Sequence, residues 1–221
     1  MEPISEQNNF VYLTVALVLL LFVAAVADHF PDPITDIFID ATVVATLALG
    51  VWSFKAERRW LRTGIGFVAA ISIVVVFDLI LKVAGLHYLQ LCIMLSFFVL
   101  TAWLAAQRVL FTGSIDLNKV IGAVCIFLLL GIIWAMLYLL VAGLAPASFN
   151  GLGSATWQDN FPHLAYFSFV SLTTLGYGDI TPALPVARFL AYMEAVAGQL
   201  YIAIVIASLV GAHISVRQSS R

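Results

Sequence analysis

Six apolar runs of about twenty residues each, at 10–27, 34–54, 64–83, 86–106, 120–144 and 186–214, leave this chain one kind of fold, a set of helices standing in lipid. Hydrocarbon offers no partner to a backbone amide, so a segment crossing it must bond internally. The runs are also far longer than the alternating strands of a barrel. Of the 221 residues, 63% are hydrophobic and 10% charged, which excludes an ordinary soluble domain. The expected fold class is an all-α membrane protein with six transmembrane helices.

Charge is sparse, and its position says more than its total. A formal net charge of −2 provides no basic surface for nucleic acid, so none is expected as a partner. Lys55, Arg58, Arg59, Arg62, Arg108, Lys119, Arg217 and Arg221 fall in connections on one face of the bundle, and only Lys82 and Arg188 on the other. Basic residues near span ends stay cytoplasmic. This puts both termini in the cytoplasm of a multi-pass protein of the cell membrane, in contact with its lipids. Ala25-Val26-Ala27 imitates a signal-peptidase site, but no basic stretch precedes the run, so retention of the first span is expected. Cys92 and Cys125 lie inside apolar runs and read as packing residues.

The polar stretch 111–118 separates an accessory bundle, 1–112, from a second module, 113–221. No internal repeat, nucleotide-binding glycine motif or metal-ligand spacing is present in the sequence, and the scattered acids form no nucleophile-base pair, so an enzyme is not expected.

Between the fifth and sixth runs lies a shorter, mixed segment, 162–174. Pro162 suits a first helical turn, with Asp159 and Asn160 as capping acceptors. The resulting helix would be roughly 18 Å long, about half of a 30 Å hydrocarbon layer. Its carbonyl end would point at the membrane centre, where negative potential favours a cation. The chain must then return outward in non-helical form, which lipid tolerates only along a polar path. Gly176 and Gly178 allow the backbone angles that turn the carbonyls of Thr174, Leu175, Gly176 and Tyr177 to one side. Those oxygens, with the Thr174 hydroxyl, can replace the water around K+. One chain cannot surround an ion, so a homotetramer is expected, with K+ as permeant ion and no cofactor.

The string Tyr166-Phe167-Ser168-Phe169-Val170-Ser171-Leu172-Thr173-Thr174-Leu175-Gly176-Tyr177-Gly178-Asp179-Ile180-Thr181-Pro182 resembles the pore segment of bacterial members of the potassium channel superfamily. The resemblance covers about 113–215, and the first four helices match nothing. It implies a bacterial inner-membrane location, a selectivity filter at Thr174, Leu175, Gly176, Tyr177 and Gly178, and an outer-mouth carboxylate at Asp179. Tyr166 stands where many relatives carry a tryptophan bonded to that carboxylate; an aromatic packing residue is the alternative. Val170 stands where some relatives carry a glutamate. Gly198 matches a hinge glycine of the inner helix, or else permits close packing against the pore helix.

Ile202, Ile206 and Val210 recur at four-residue spacing beside a small stripe of Ala203, Ala207 and Gly211. Small stripes pack helices closely, so the bulky stripe is read as cavity lining, with a lipid-facing stripe as alternative. Glu194, an acid inside a span, requires a partner; Ser168, Ser171 or a threonine hydroxyl is within reach of a helix one turn before Gly198. The sequence leaves its protonation open.

The fourth run carries no arginine ladder, and Arg108 alone at its end predicts weak gating by voltage. Asp36, Asp40 and Asp78, with His29 and His87, could form an external proton or divalent-ion site. The plainer reading is acids at a helix N-terminus and an Asp78–Lys82 pair. A separate regulatory partner is left open. A transporter of the same architecture would repeat degenerate filter segments, and a non-selective pore usually lacks the tyrosine found here at Tyr177.

Overall fold

Each apolar run folds as a helix. The computed structural model describes residues 9–27, 32–53, 58–81, 85–110, 117–153 and 156–219. In chain order these form α1 (Asn9–Ala27), α2 (Asp32–Ser53), α3 (Arg58–Leu81), α4 (Leu86–Leu110), α5 (Leu117–Leu144), β1 (Phe149–Asn150), α6 (Trp157–Leu172), β2 (Thr181–Pro182) and α7 (Pro185–Ser219). Among the described residues, three helices are long and apolar enough to cross a membrane: Leu86–Val109, Asn118–Leu144 and Pro185–Ser208. Within α1, α2 and α3 the apolar segments are shorter, Phe10–Val26, Ile39–Ser53 and Leu61–Phe77.

Four hydroxyl groups inside these helices bond to their own backbone. Thr46, Ser53, Ser72 and Thr101 each donate to the carbonyl four residues back, at 2.8–2.9 Å, which removes the cost of a bare hydroxyl in an apolar setting.

Packing runs as a chain of neighbours: α1 on α2 and α5, α2 on α3, α3 on α4, α4 on α5, α5 on α6 and α6 on α7. α1 and α2 also reach α6. One apolar cluster therefore extends from Leu17, Leu47 and Phe97 to Leu129, Met136 and Phe161, joining the first four helices to the rest. The 111–116 boundary falls outside the described residues, but the core continues on both sides of it. Cys125 is buried in that core, whereas Cys92 faces outward from α4. α7 stands apart. It exposes Val186, Phe189, Tyr192, Val196, Leu200 and Ile204, an apolar face suited to lipid or to other copies of the chain.

Candidate functional site

The site is built around α6. Its start lies five residues before the one expected from Pro162, because a capping box fixes it. The Thr156 hydroxyl accepts from the Asp159 amide at 3.2 Å, and the Asp159 carboxylate accepts from the Thr156 amide at 3.1 Å. Pro162 consequently sits inside the helix rather than in its first turn. A proline there removes one helical bond, a loss tolerated because packing on α5 holds the segment. The 16 residues make α6 about 24 Å long.

The other end closes on the glycine-rich run. Thr174 donates its amide to Ser171 O at 2.9 Å and Leu175 donates to Val170 O at 2.9 Å. Together these bonds make a Schellman cap, whose left-handed residue is normally glycine. Here it is Thr174, with φ 58°. A β-branched residue in that conformation costs about 1–2 kcal/mol. Beyond it φ is positive again at Gly176 (63°) and Gly178 (81°). A strand with φ of one sign sends successive carbonyls to opposite sides; reversing every second residue brings them to the same side. The run is open to its surroundings, with Leu175 56% and Tyr177 67% exposed.

The segment after the run is anchored. Ile180 is buried, and β2 pairs antiparallel with β1, Asn150 facing Thr181 and Phe149 facing Pro182. Asn150 Nδ2 donates to Thr181 Oγ1 at 3.1 Å. Tyr166 stacks on Tyr177 with rings 4° from parallel and centroids 6.3 Å apart. The Tyr166 hydroxyl also bonds to Asp179, and this holds the Asp179 carboxyl below its ordinary value of 3.8. Both suggested roles for Tyr166, packing and bonding, are thus present together.

Behind α6, Glu194 is fully buried on a helix that is otherwise mostly exposed. Ser168 Oγ lies 2.5 Å from its Oε1 and Tyr138 Oη 2.5 Å from its Oε2. Ser168 Oγ also reaches Gly131 O at 2.7 Å. Of the expected partners, Ser168 is the one used; Tyr138 and Gly131, both on α5, were not foreseen. Tyr138 packs edge-on against Phe149 and Phe167, which join β1 to α6. Val170 is buried.

Gly198 meets the end of α6. A Cβ built there would lie 2.1 Å from Leu172 O and 3.0 Å from Leu172 Cδ1, so the packing role expected as an alternative to a hinge has a definite contact. The next residue, Gln199, was missed by sequence reasoning. Its Nε2 donates to Thr174 Oγ1 at 3.4 Å, and its proximity to Gly198 was the available signal. Ile202 and Ile206 are exposed, and the side chain of Val210 lies outside the described residues.

Of the outer acids and histidines, His29 and the side chains of Asp36 and Asp78 lie outside the described residues. Asp40 accepts from Gln90 Nε2 at 2.9 Å, and the His87 ring lies against Tyr88 with centroids 4.0 Å apart. Among the described residues no three His, Cys, Asp or Glu side chains come together to hold a metal. Arg108 occupies the last turn of α4.

Comparison with curated proteins gives no match. Residues 122–213, which contain α6, the glycine-rich run and most of α5 and α7, match the family model described as Ion channel, a similarity that supports a channel in a membrane rather than an enzyme.

Proposed function

We propose that this chain is one of four identical subunits of a potassium-selective channel that conducts K+ passively. In this reading six helices cross the membrane, both termini are cytoplasmic, and residues 1–112 and 113–221 are accessory bundle and pore module. The cell is bacterial and the membrane its inner one. Thr174, Leu175, Gly176, Tyr177 and Gly178 line the ion path, with Asp179 and Tyr166 bracing its outer end. Ile202, Ile206 and Val210 face the inner cavity. Gly198 is the point about which α7 bends if the pore opens at its inner end.

One observation carries the reading. A largely buried helix of about 24 Å ends in a left-handed threonine, and φ then alternates in sign at Thr174, Gly176 and Gly178 along a run left bare by its own chain. Such a run offers several carbonyl oxygens in a row and leaves them unused. Four copies around one axis would supply oxygens in rings, matching the coordination that K+ has in water, and Na+ would gain less from rings of that size or field strength. The strained threonine has a reason in this reading, because its hydroxyl completes the innermost ring where glycine would supply none.

The absence of an arginine series in α4 supports weak voltage dependence. Each charge crossing the field supplies about 2.3 kcal/mol per 100 mV, and Arg108 alone amounts to a shallow response.

The test is ion flux. Purified protein in potassium-loaded liposomes should pass K+ much faster than Na+, and barium, a divalent ion of similar size, should block it. Equal K+ and Na+ fluxes would refute the proposal.

A further inference from the structure

The oxygens around Glu194 do not have enough hydrogens unless the acid supplies one. Three close contacts meet there: Tyr138 Oη to Oε2 at 2.5 Å, Ser168 Oγ to Oε1 at 2.5 Å, and Ser168 Oγ to Gly131 O at 2.7 Å. Tyrosine and serine each bring one hydrogen. If Glu194 were ionised, the single Ser168 hydrogen would have to serve both Oε1 and Gly131 O, and one close oxygen pair would lack a hydrogen. Placing a hydrogen on Oε1 resolves the count. Glu194 then donates to Ser168, Ser168 donates to Gly131 O, and Tyr138 donates to Oε2, with every oxygen of the group in a bond.

The surroundings lead to the same assignment. Glu194 is fully buried, and its hydrogen-bond partners are hydroxyls, with no Lys, Arg or His bonded to it among the described residues. An unpaired buried carboxylate costs several kcal/mol even after relaxation, and two hydroxyl donors offset only part of that. A neutral acid carries no such cost and can act as a donor, which a carboxylate cannot.

We propose that Glu194 is a protonated, uncharged acid that positions the pore helix. Its chain of bonds runs from α7 through Ser168 of α6 to Gly131 of α5, and its second oxygen takes Tyr138 of α5. Three elements are thereby locked together about three quarters of the way along α6, six residues before Thr174. The assignment of the proton stands on geometry alone; the positioning role rests on the channel reading.

The experiment uses the full chain in liposomes. Difference infrared spectroscopy of wild type against Glu194→Gln should reveal the carbonyl stretch of a protonated carboxylic acid in the wild type and its loss in the variant. Absence of that band, with carboxylate bands lost in its place, overturns the assignment. Because an amide is neutral and keeps both a donor and an acceptor, E194Q should retain wild-type K+ flux and selectivity. If E194Q folds but no longer selects K+, a neutral donor and acceptor does not replace Glu194 and the uncharged assignment is overturned. Glu194→Leu, which removes every bond of the network, should lose K+ selectivity, and a folded E194L that keeps it overturns the positioning role. If E194Q does not fold, Tyr138→Phe gives the second reading. Removing the bond to Oε2 should move the acid band to higher frequency, and an unmoved band refutes the network. Should wild type itself pass no K+, the channel reading fails while the infrared result still decides the proton.

Discussion

Replacement of Gly198 by alanine sets two effects of known size against each other. In an exposed helix interior the change stabilises by about 0.8–1 kcal/mol, since alanine has the better helix propensity. At this site the new Cβ would stand 2.1 Å from Leu172 O, whereas ordinary contact begins at 3.4 Å, so the end of α6 and the middle of α7 must part by more than 1 Å. The obstacle is a backbone oxygen, which cannot rotate aside. Overpacking in a tight interior costs about 1–3 kcal/mol, and a rigid obstacle belongs at the upper end. The expected net effect is a loss of about 1–2 kcal/mol. Because Leu172 lies two residues before Thr174, the displaced segment includes the start of the proposed filter, and K+ over Na+ selectivity should fall with stability. Gly66 is the control, because nothing lies within 4 Å of its built Cβ and Gly66→Ala should raise the melting temperature in detergent. Thermal unfolding and the K+/Na+ flux ratio of both variants make the test. If G198A is as stable as G66A and keeps wild-type selectivity, the close approach is not what requires glycine, and bending becomes the better account.

Two further outcomes are expected. Thr174→Val keeps the shape and left-handed strain of the residue but removes its hydroxyl, so thermal stability should change by less than about 1 kcal/mol while K+ flux falls roughly tenfold, the effect of one lost ligand group per subunit. Tyr166→Phe removes the bond that lowers the Asp179 pKa. That bond favours the ionised carboxylate, so its contribution is full above pH 3.8 and is lost as pH falls through the lower folded value. In Y166F the external-pH midpoint for loss of K+ current at the acid end should move up toward 3.8, and an unchanged midpoint would show that Tyr166 acts by packing alone.

Much of the fold was legible because apolar runs of spanning length have few alternatives in lipid. α1, α2, α4 and α5 begin within three residues of the runs that forecast them, and α3 extends six residues earlier. The start of α6 was misread because Pro162 drew attention away from the weaker signal Thr156-x-x-Asp159, which sets the cap by two reciprocal bonds. The backbone reversals at Gly176 and Gly178 were legible because glycine carries that conformational freedom in its own residue. The surroundings of Glu194 were only half legible. Ser168 lies 26 residues away and could be guessed from depth in the membrane, but Tyr138 lies 56 residues away on α5. Nothing in the sequence of α5 says which of its faces meets α7. Gln199 was missed for a different reason, since an amide on an apolar helix carries no periodic signal.

α6 is fixed at its start by a capping box, in its last third by hydroxyl and acid, and at its end by a Schellman cap and the Gly198 contact, all within a single chain. In the proposed tetramer this has a consequence for assembly. Each subunit arrives with its quarter of the ion path already shaped, so association is a docking of finished surfaces rather than a refolding, and the ordering entropy of the glycine-rich run is largely met before subunits touch. The exposed face of α7 is then the surface on which docking must act, and changes there should alter how often four chains meet without altering the shape of what they bring.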